Sequence, residues 1–250
     1  MKSSDRNAFI TRPSVWNLLG EIRWVGEWVA GSLRREMTDL PEGDGHAVLL
    51  LPGFLASDRS LAPLARTLRR LGYITYRSGF NPNPGPTRPA LDWLRGRVVE
   101  VMERAETPIS IVGQSLGGIY AREIARNYPS RVRCVITMGS PFQAPENTNA
   151  SLVATALGRF WGREERESRP ALSEPLTVPT TSVFSRSDGV VPWEACIEAP
   201  GPQRENIEVR TSHIGMAVHP AVIRIVADRL ALPRGGWRPY ASSEGSAGTA

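Results

Sequence analysis

The chain has 250 residues, 41% of them hydrophobic, enough to bury a sizeable core as one large domain or two small ones. Its net charge of +5 is spread evenly, +3 in residues 1–125 (16 basic, 13 acidic) and +2 in residues 126–250 (14 basic, 12 acidic), which argues against a basic surface for nucleic acid. No run of about 18 apolar residues is present to span a membrane, and the two cysteines form neither a C-x-x-C pair nor part of a His/Cys cluster, so no metal site is expected.

Met1 to Ile10 is polar, and the apolar positions that follow are interrupted by Glu21, Arg23 and Glu27, which is not the pattern of a secretory signal; a cytoplasmic location is the expectation. Residues 12–36 carry Val15, Leu18, Leu19, Ile22, Val25, Val29 and Leu33 at helical spacing, with Pro13 in the first turn and Trp16, Trp24 and Trp28 widening the stripe. Such a helix either packs on the body or makes peripheral contact with a membrane surface. A polar linker closes this N-terminal unit, residues 1–45.

From residue 46 strands and helices alternate. Strands are expected at Ala47–Leu51, Tyr73–Tyr76, Ile109–Val112, Arg133–Met138, Thr180–Phe184 and Ile207–Arg210. Helices are expected up to Leu71, with Ser57 or Asp58 as the cap, and over Ala90–Glu106, Leu116–Tyr128 and Pro220–Leu230. Between them Gly79–Pro89 reads as a loop stiffened by four prolines. This order implies an α/β fold: a mainly parallel six-stranded sheet with helices on both faces, every strand ending along one edge. Residues 143–178 interrupt the rhythm and read as a cap or as a solvated surface insertion, and 241–250 as a small, polar, disordered tail. Cys134, in the fourth strand, reads as a buried hydrophobe.

Gly113-Gln114-Ser115-Leu116-Gly117-Gly118 lies between the third strand and the helix after it. A chance G-x-S-x-G is expected roughly 0.16 times in such a chain, so context must decide. Here a serine held between glycines at a strand-to-helix turn is placed as a nucleophile elbow, above a helix N-terminus that favours a developing oxyanion. Of three histidines, His46 precedes the first core strand and His219 stands beside the proline of the last helix; His213 alone follows the last strand, at the edge of Ser115. Asp188 follows the strand before it, so nucleophile, acid and base come in the order Ser, Asp, His. Glu146 is the reserve acid. The Leu51-Pro52-Gly53-Phe54-Leu55 loop offers the N–H of Phe54 as one oxyanion donor, and Leu116 N–H is the other.

Residues 51–58 (Leu-Pro-Gly-Phe-Leu-Ala-Ser-Asp), 113–122 (Gly-Gln-Ser-Leu-Gly-Gly-Ile-Tyr-Ala-Arg) and 185–193 (Ser-Arg-Ser-Asp-Gly-Val-Val-Pro-Trp) resemble bacterial α/β-hydrolases of the esterase/lipase type. So do residues 212–216 and the Trp-Arg-Pro-Tyr at 237–240, and the likeness covers roughly 46–240. It implies carboxylic-ester hydrolysis through an acyl-serine, with a small-molecule or lipid ester as substrate and no cofactor. Pro52 departs from the histidine that secreted lipases of this pattern place before the oxyanion residue, and helix 12–36 stands where the family's first two strands would lie. Phe54, Leu152, Phe160 and Trp161 are expected to line the substrate pocket. An acyltransferase using the same three residues, or a membrane-surface or partner-binding protein on this fold, are the alternatives.

Overall fold

The computed structural model describes residues 39–143 and 172–241. Six strands, β1 (Ala47–Leu51), β2 (Ile74–Arg77), β3 (Ile109–Gln114), β4 (Val132–Met138), β5 (Thr180–Phe184) and β6 (Arg204–Glu208), form one sheet in the order β2-β1-β3-β4-β5-β6. Every adjacent pair is parallel. The helices are α1 (Ala62–Arg70), α2 (Arg88–Arg104), α3 (Leu116–Asn127) and α4 (Pro220–Leu230).

The strand period of two explains the two-faced core. In β1, Ala47, Leu49 and Leu51 join a cluster with α2 and α3, while Val48 and Leu50 join another with α1 and α4. A strand covered on both sides must be apolar throughout, and β1 and β3 are buried along their whole length. The edge strands β2 and β6 are partly exposed. That explains the one displaced strand: apolar periodicity places the last strand at 207–210, but Arg204, Glu205 and Asn206 pair with β5 because an edge strand tolerates polar side chains.

Helix starts follow local chemistry. Thr87 caps α2 by accepting from Ala90 N–H (3.4 Å), and Pro89 sits in its first turn, so the proline-rich loop ends earlier than its composition suggests. Ser57 caps a short 3-10 turn, Asp58–Leu61, that precedes α1. Asp58 is not a cap; its carboxylate accepts from Ser78 N–H (3.1 Å), Ser78 Oγ–H (2.7 Å) and Gly79 N–H (2.8 Å) and ties the ends of β1 and β2 together. Cys134 is half-buried, its thiol donating to Ser110 Oγ (3.3 Å). Helix 12–36, most of the 143–178 stretch and the end of the tail lie outside the described residues. Among the described residues no helix is long and apolar enough to cross a membrane.

Candidate active site

β3 ends at Gln114 and α3 begins at Leu116. Ser115 makes the reversal alone, at φ 53° and ψ −120°. A non-glycine residue held there costs of order 1–3 kcal/mol, which the surroundings must outweigh. Two backbone bonds hold it: Ser115 N–H donates to Met138 carbonyl (2.8 Å), and its own carbonyl accepts from Gly118 N–H (3.0 Å). The flanking glycines are sterically required. A Cβ on Gly113 would meet Gly117 carbonyl at 2.3 Å, and one on Gly117 would meet Leu51 carbonyl at 2.1 Å. Helix, strand and elbow approach one another closer than any side chain permits.

Asp188 and His213 follow the strands at the far side of the sheet, β5 and β6. After β5 the chain turns so that Asp188 Oδ1 accepts from the N–H groups of Val190 (2.8 Å) and Val191 (2.7 Å). Its Oδ2 lies 2.6 Å from His213 Nδ1. With a carboxylate on that side, Nδ1 is assigned the proton and Nε2 is the basic nitrogen. The Asp188 and His213 side chains are both buried, which strengthens their attraction by excluding water. Ser185 joins the two arms, its hydroxyl donating to Thr211 carbonyl (2.7 Å) and accepting from Ser187 N–H (3.1 Å).

Ser115 and His213 are tied together at the end of β4. Gly139, one residue past the carbonyl that holds Ser115, takes φ 56°. A Cβ there would stand 3.1 Å from His213 Nδ1 and 3.2 Å from Asp188 Oδ2, so the pair rests directly on this turn. Gln114, the residue before the nucleophile, donates from Nε2 to His213 carbonyl (3.0 Å).

The turn after β1 passes over Ser115: a Cβ on Gly53 would lie 3.3 Å from Ser115 Cβ. Leu55 N–H donates to Asn83 carbonyl (2.9 Å) and Ala56 N–H to Gly53 carbonyl (3.2 Å), so neither bond uses the N–H of Phe54. Asn83 also donates from Nδ2 to Pro52 carbonyl (3.0 Å) and clamps the turn from both ends. Leu116 is the first residue of α3, a position whose N–H has no intrahelical acceptor. These are the two N–H groups that the sequence reading names as oxyanion donors. The ring of Phe54 packs partly buried against the α2–α3 cluster.

His46 lies at the opposite edge of the sheet and His219 caps α4, so neither is near Ser115. Glu146, Leu152, Phe160 and Trp161 lie outside the described residues. Sequence reading missed Gln114, Asn83, Gly139 and Arg122. Gln114 stands inside the elbow motif, where a polar residue ending an apolar strand was a signal. Arg122 interrupts the apolar stretch of α3 and is wholly buried. It pairs with buried Glu198. It also donates to Leu172 carbonyl (3.2 Å) and Glu174 carbonyl (2.8 Å) and stacks on Phe142 at 4.0 Å. It thereby fastens the nucleophile helix to the described chain on both sides of 144–171. Among the described residues no three His, Cys, Asp or Glu side chains gather as a metal-ligand set.

Solved structures share this architecture at low identity, a likeness that speaks to fold alone. A pyrethroid hydrolase from Sphingobium faniae JZ-2 matches with TM-score 0.55 and 17% identity, over 75% of this chain and 98% of that one. Alpha/beta hydrolase domain-containing protein 10 from mouse matches with TM-score 0.51 and 18% identity, over 78% and 95%. Aspergillus fumigatus lipase B matches with TM-score 0.59 and 14% identity, over 78% of this chain and 55% of that one. The model of the alpha/beta hydrolase family matches residues 48–243, nearly all of the six-stranded domain and the whole of the site; the chain belongs to the alpha/beta hydrolase family.

Proposed function

We propose that this hydrolase cleaves carboxylic esters through an acyl-serine intermediate, with Ser115 as nucleophile, His213 as general base and acid, and Asp188 as the group that orients and stabilises the imidazolium. The observation that carries the reading is the 2.6 Å contact of Asp188 Oδ2 with His213 Nδ1, joined to a serine held in a strained elbow on the same strand ends. A serine hydroxyl is a weak nucleophile until a base removes its proton. In the cycle, His213 Nε2 takes that proton as Ser115 Oγ bonds to the ester carbonyl carbon. The carbonyl oxygen gains the negative charge and is met by the N–H groups of Phe54 and Leu116. The tetrahedral species collapses, the C–O bond to the alcohol breaks, and His213 protonates the departing oxygen. Water then adds to the acyl-serine with His213 again accepting a proton, which releases the acid and restores Ser115.

Hydrolysis of p-nitrophenyl esters of graded chain length tests the reading. Ser115→Ala should lower kcat by about 10⁴-fold or more with the melting temperature kept. A folded Ser115→Ala protein with a tenth of the parent rate would overturn it.

A further inference from the structure

Five large apolar side chains lie exposed among the described residues: Leu55, Ile74, Trp93, Val99 and Ile214. Single exposed apolar residues are ordinary and three of these need no function. Ile74 is on edge strand β2, Val99 is on the outer side of α2, and Trp93 spends its indole N–H on Ser78 carbonyl (3.1 Å). The other two each adjoin a residue of the site. Leu55, 60% exposed, follows Phe54; Ile214, 48% exposed, follows His213.

Leu55 also has φ 58°. Only three non-glycine residues among those described take positive φ, and Ser115 is another. Left-handed backbone suits glycine or asparagine, and a leucine there is strained. The bond that fixes the turn, Leu55 N–H to Asn83 carbonyl, is a backbone bond that any residue except proline could make. That bond therefore does not require a leucine, whose backbone is strained and whose side chain is mostly exposed. Strain of this kind persists where the side chain is used.

The proposed cycle gives each residue a different half of the substrate. The oxyanion sits at the Phe54 N–H, beside Leu55, and the departing alcohol takes its proton from His213, beside Ile214. Resting on the ester-hydrolase reading, we propose that Leu55 and Ile214 are specificity-determining contacts, Leu55 for the acyl chain and Ile214 for the alcohol, so that the substrate is an uncharged ester apolar on both sides of its carbonyl.

The test varies one half of the ester at a time. With the alcohol fixed, kcat/KM is measured on p-nitrophenyl octanoate and acetate; with the acyl group fixed, on hexyl and ethyl acetate by titration of released acid. Each methylene withdrawn from water is worth about fourfold. Leu55→Asn should lower the octanoate-to-acetate ratio about 5- to 20-fold, through KM for the octanoate, and Leu55→Met should retain the ratio. Because asparagine tolerates the left-handed backbone, the melting temperature of Leu55→Asn should stay level or rise by up to about 4 °C. Ile214→Thr should lower the hexyl-to-ethyl ratio about 3- to 10-fold and move the acyl ratio less than about twofold. Ratios within about twofold of the parent in both variants, or a fall of more than about 5 °C in Leu55→Asn, would overturn the assignment. Absence of hydrolysis of every ester by the unaltered chain would overturn the reading of the site itself, a separate result.

Discussion

Aspartate, histidine and serine are gathered at both edges of this sheet, and only one gathering has the surroundings of a reactive site. At the N-terminal edge, Asp44 Oδ1 lies 2.5 Å from His46 Nδ1 and His46 Nε2 lies 2.8 Å from Ser110 Oγ. At the C-terminal edge, Asp188 meets His213 near Ser115. The lower set is a continuous hydrogen-bonded chain. Yet Ser110 is wholly buried within β3, paired with Val48 of β1 and Cys134 of β4, beside the Cys134 thiol. Among the described residues no helix begins beneath it and no turn crosses over it. It connects β1 to β3, and Arg133 adds β4 by donating to Asp44 Oδ2 (2.6 Å). Ser115 by contrast stands outside the ladder, at a helix N-terminus, in a strained conformation, under the turn that follows β1. Three residue types in sequence do not make a site; room for a carbonyl and donors for its oxygen do.

Substitutions should separate the two sets, the largest effects falling at the upper edge. Asp188→Asn should lower kcat about 10⁴-fold, because the amide favours the wrong tautomer of His213, with the unfolding midpoint little changed. Near-parental turnover in that variant would move the acid elsewhere, Glu146 being the candidate named by sequence. Ser110→Ala should leave kcat within a few-fold and cost about 1–3 kcal/mol of stability in denaturant unfolding, since His46 Nε2 is left buried without its partner. Loss of turnover at a preserved midpoint would contradict a structural role for the lower set.

The smallest effect is a dependence of stability on pH. Burial lowers the pKa of His46, and the nearby charge of Arg133 adds to this, against the opposing attraction of Asp44. Burial works against ionisation of Asp44, but hydrogen bonds from His46 and Arg133 outweigh it and hold its carboxyl well below the usual carboxylate range. Both groups bind protons more readily unfolded than folded. Their contribution is therefore complete above the ordinary imidazole value, about 6.5, and is lost as the pH falls, first through His46 and below about 4 through Asp44. The unfolding midpoint should fall between pH 7 and 5, and His46→Gln should flatten that slope; an unchanged slope would assign the dependence to other groups.

Periodicity made most of the fold legible. Buried parallel strands are continuous apolar runs, and five of six lie within two residues of the segments that composition marks. β6 escaped because an edge strand needs no apolar run, and the start of α2 escaped because a proline that looks like loop chemistry also fits a first helical turn. The elbow was legible because Gly113, Ser115 and Gly117 have a local steric reason to be together. Asp188 and His213 followed from topology, which sends every strand end to one edge. Gln114, Asn83 and Gly139 were not legible in the same way. Their parts depend on contacts across 99 residues for Gln114 with His213 and 31 for Asn83 with Pro52, and no local pattern announces such partners.

The central claim is that Ser115, and not another serine, is the activated nucleophile. Labelling of the full chain with a fluorophosphonate, followed by peptide mass spectrometry, tests it most directly. One adduct is expected, on the peptide that contains Ser115, absent in Ser115→Ala and strongly slowed in Asp188→Asn. An adduct on Ser110 or any other residue, or no adduct on the folded protein, would contradict the account.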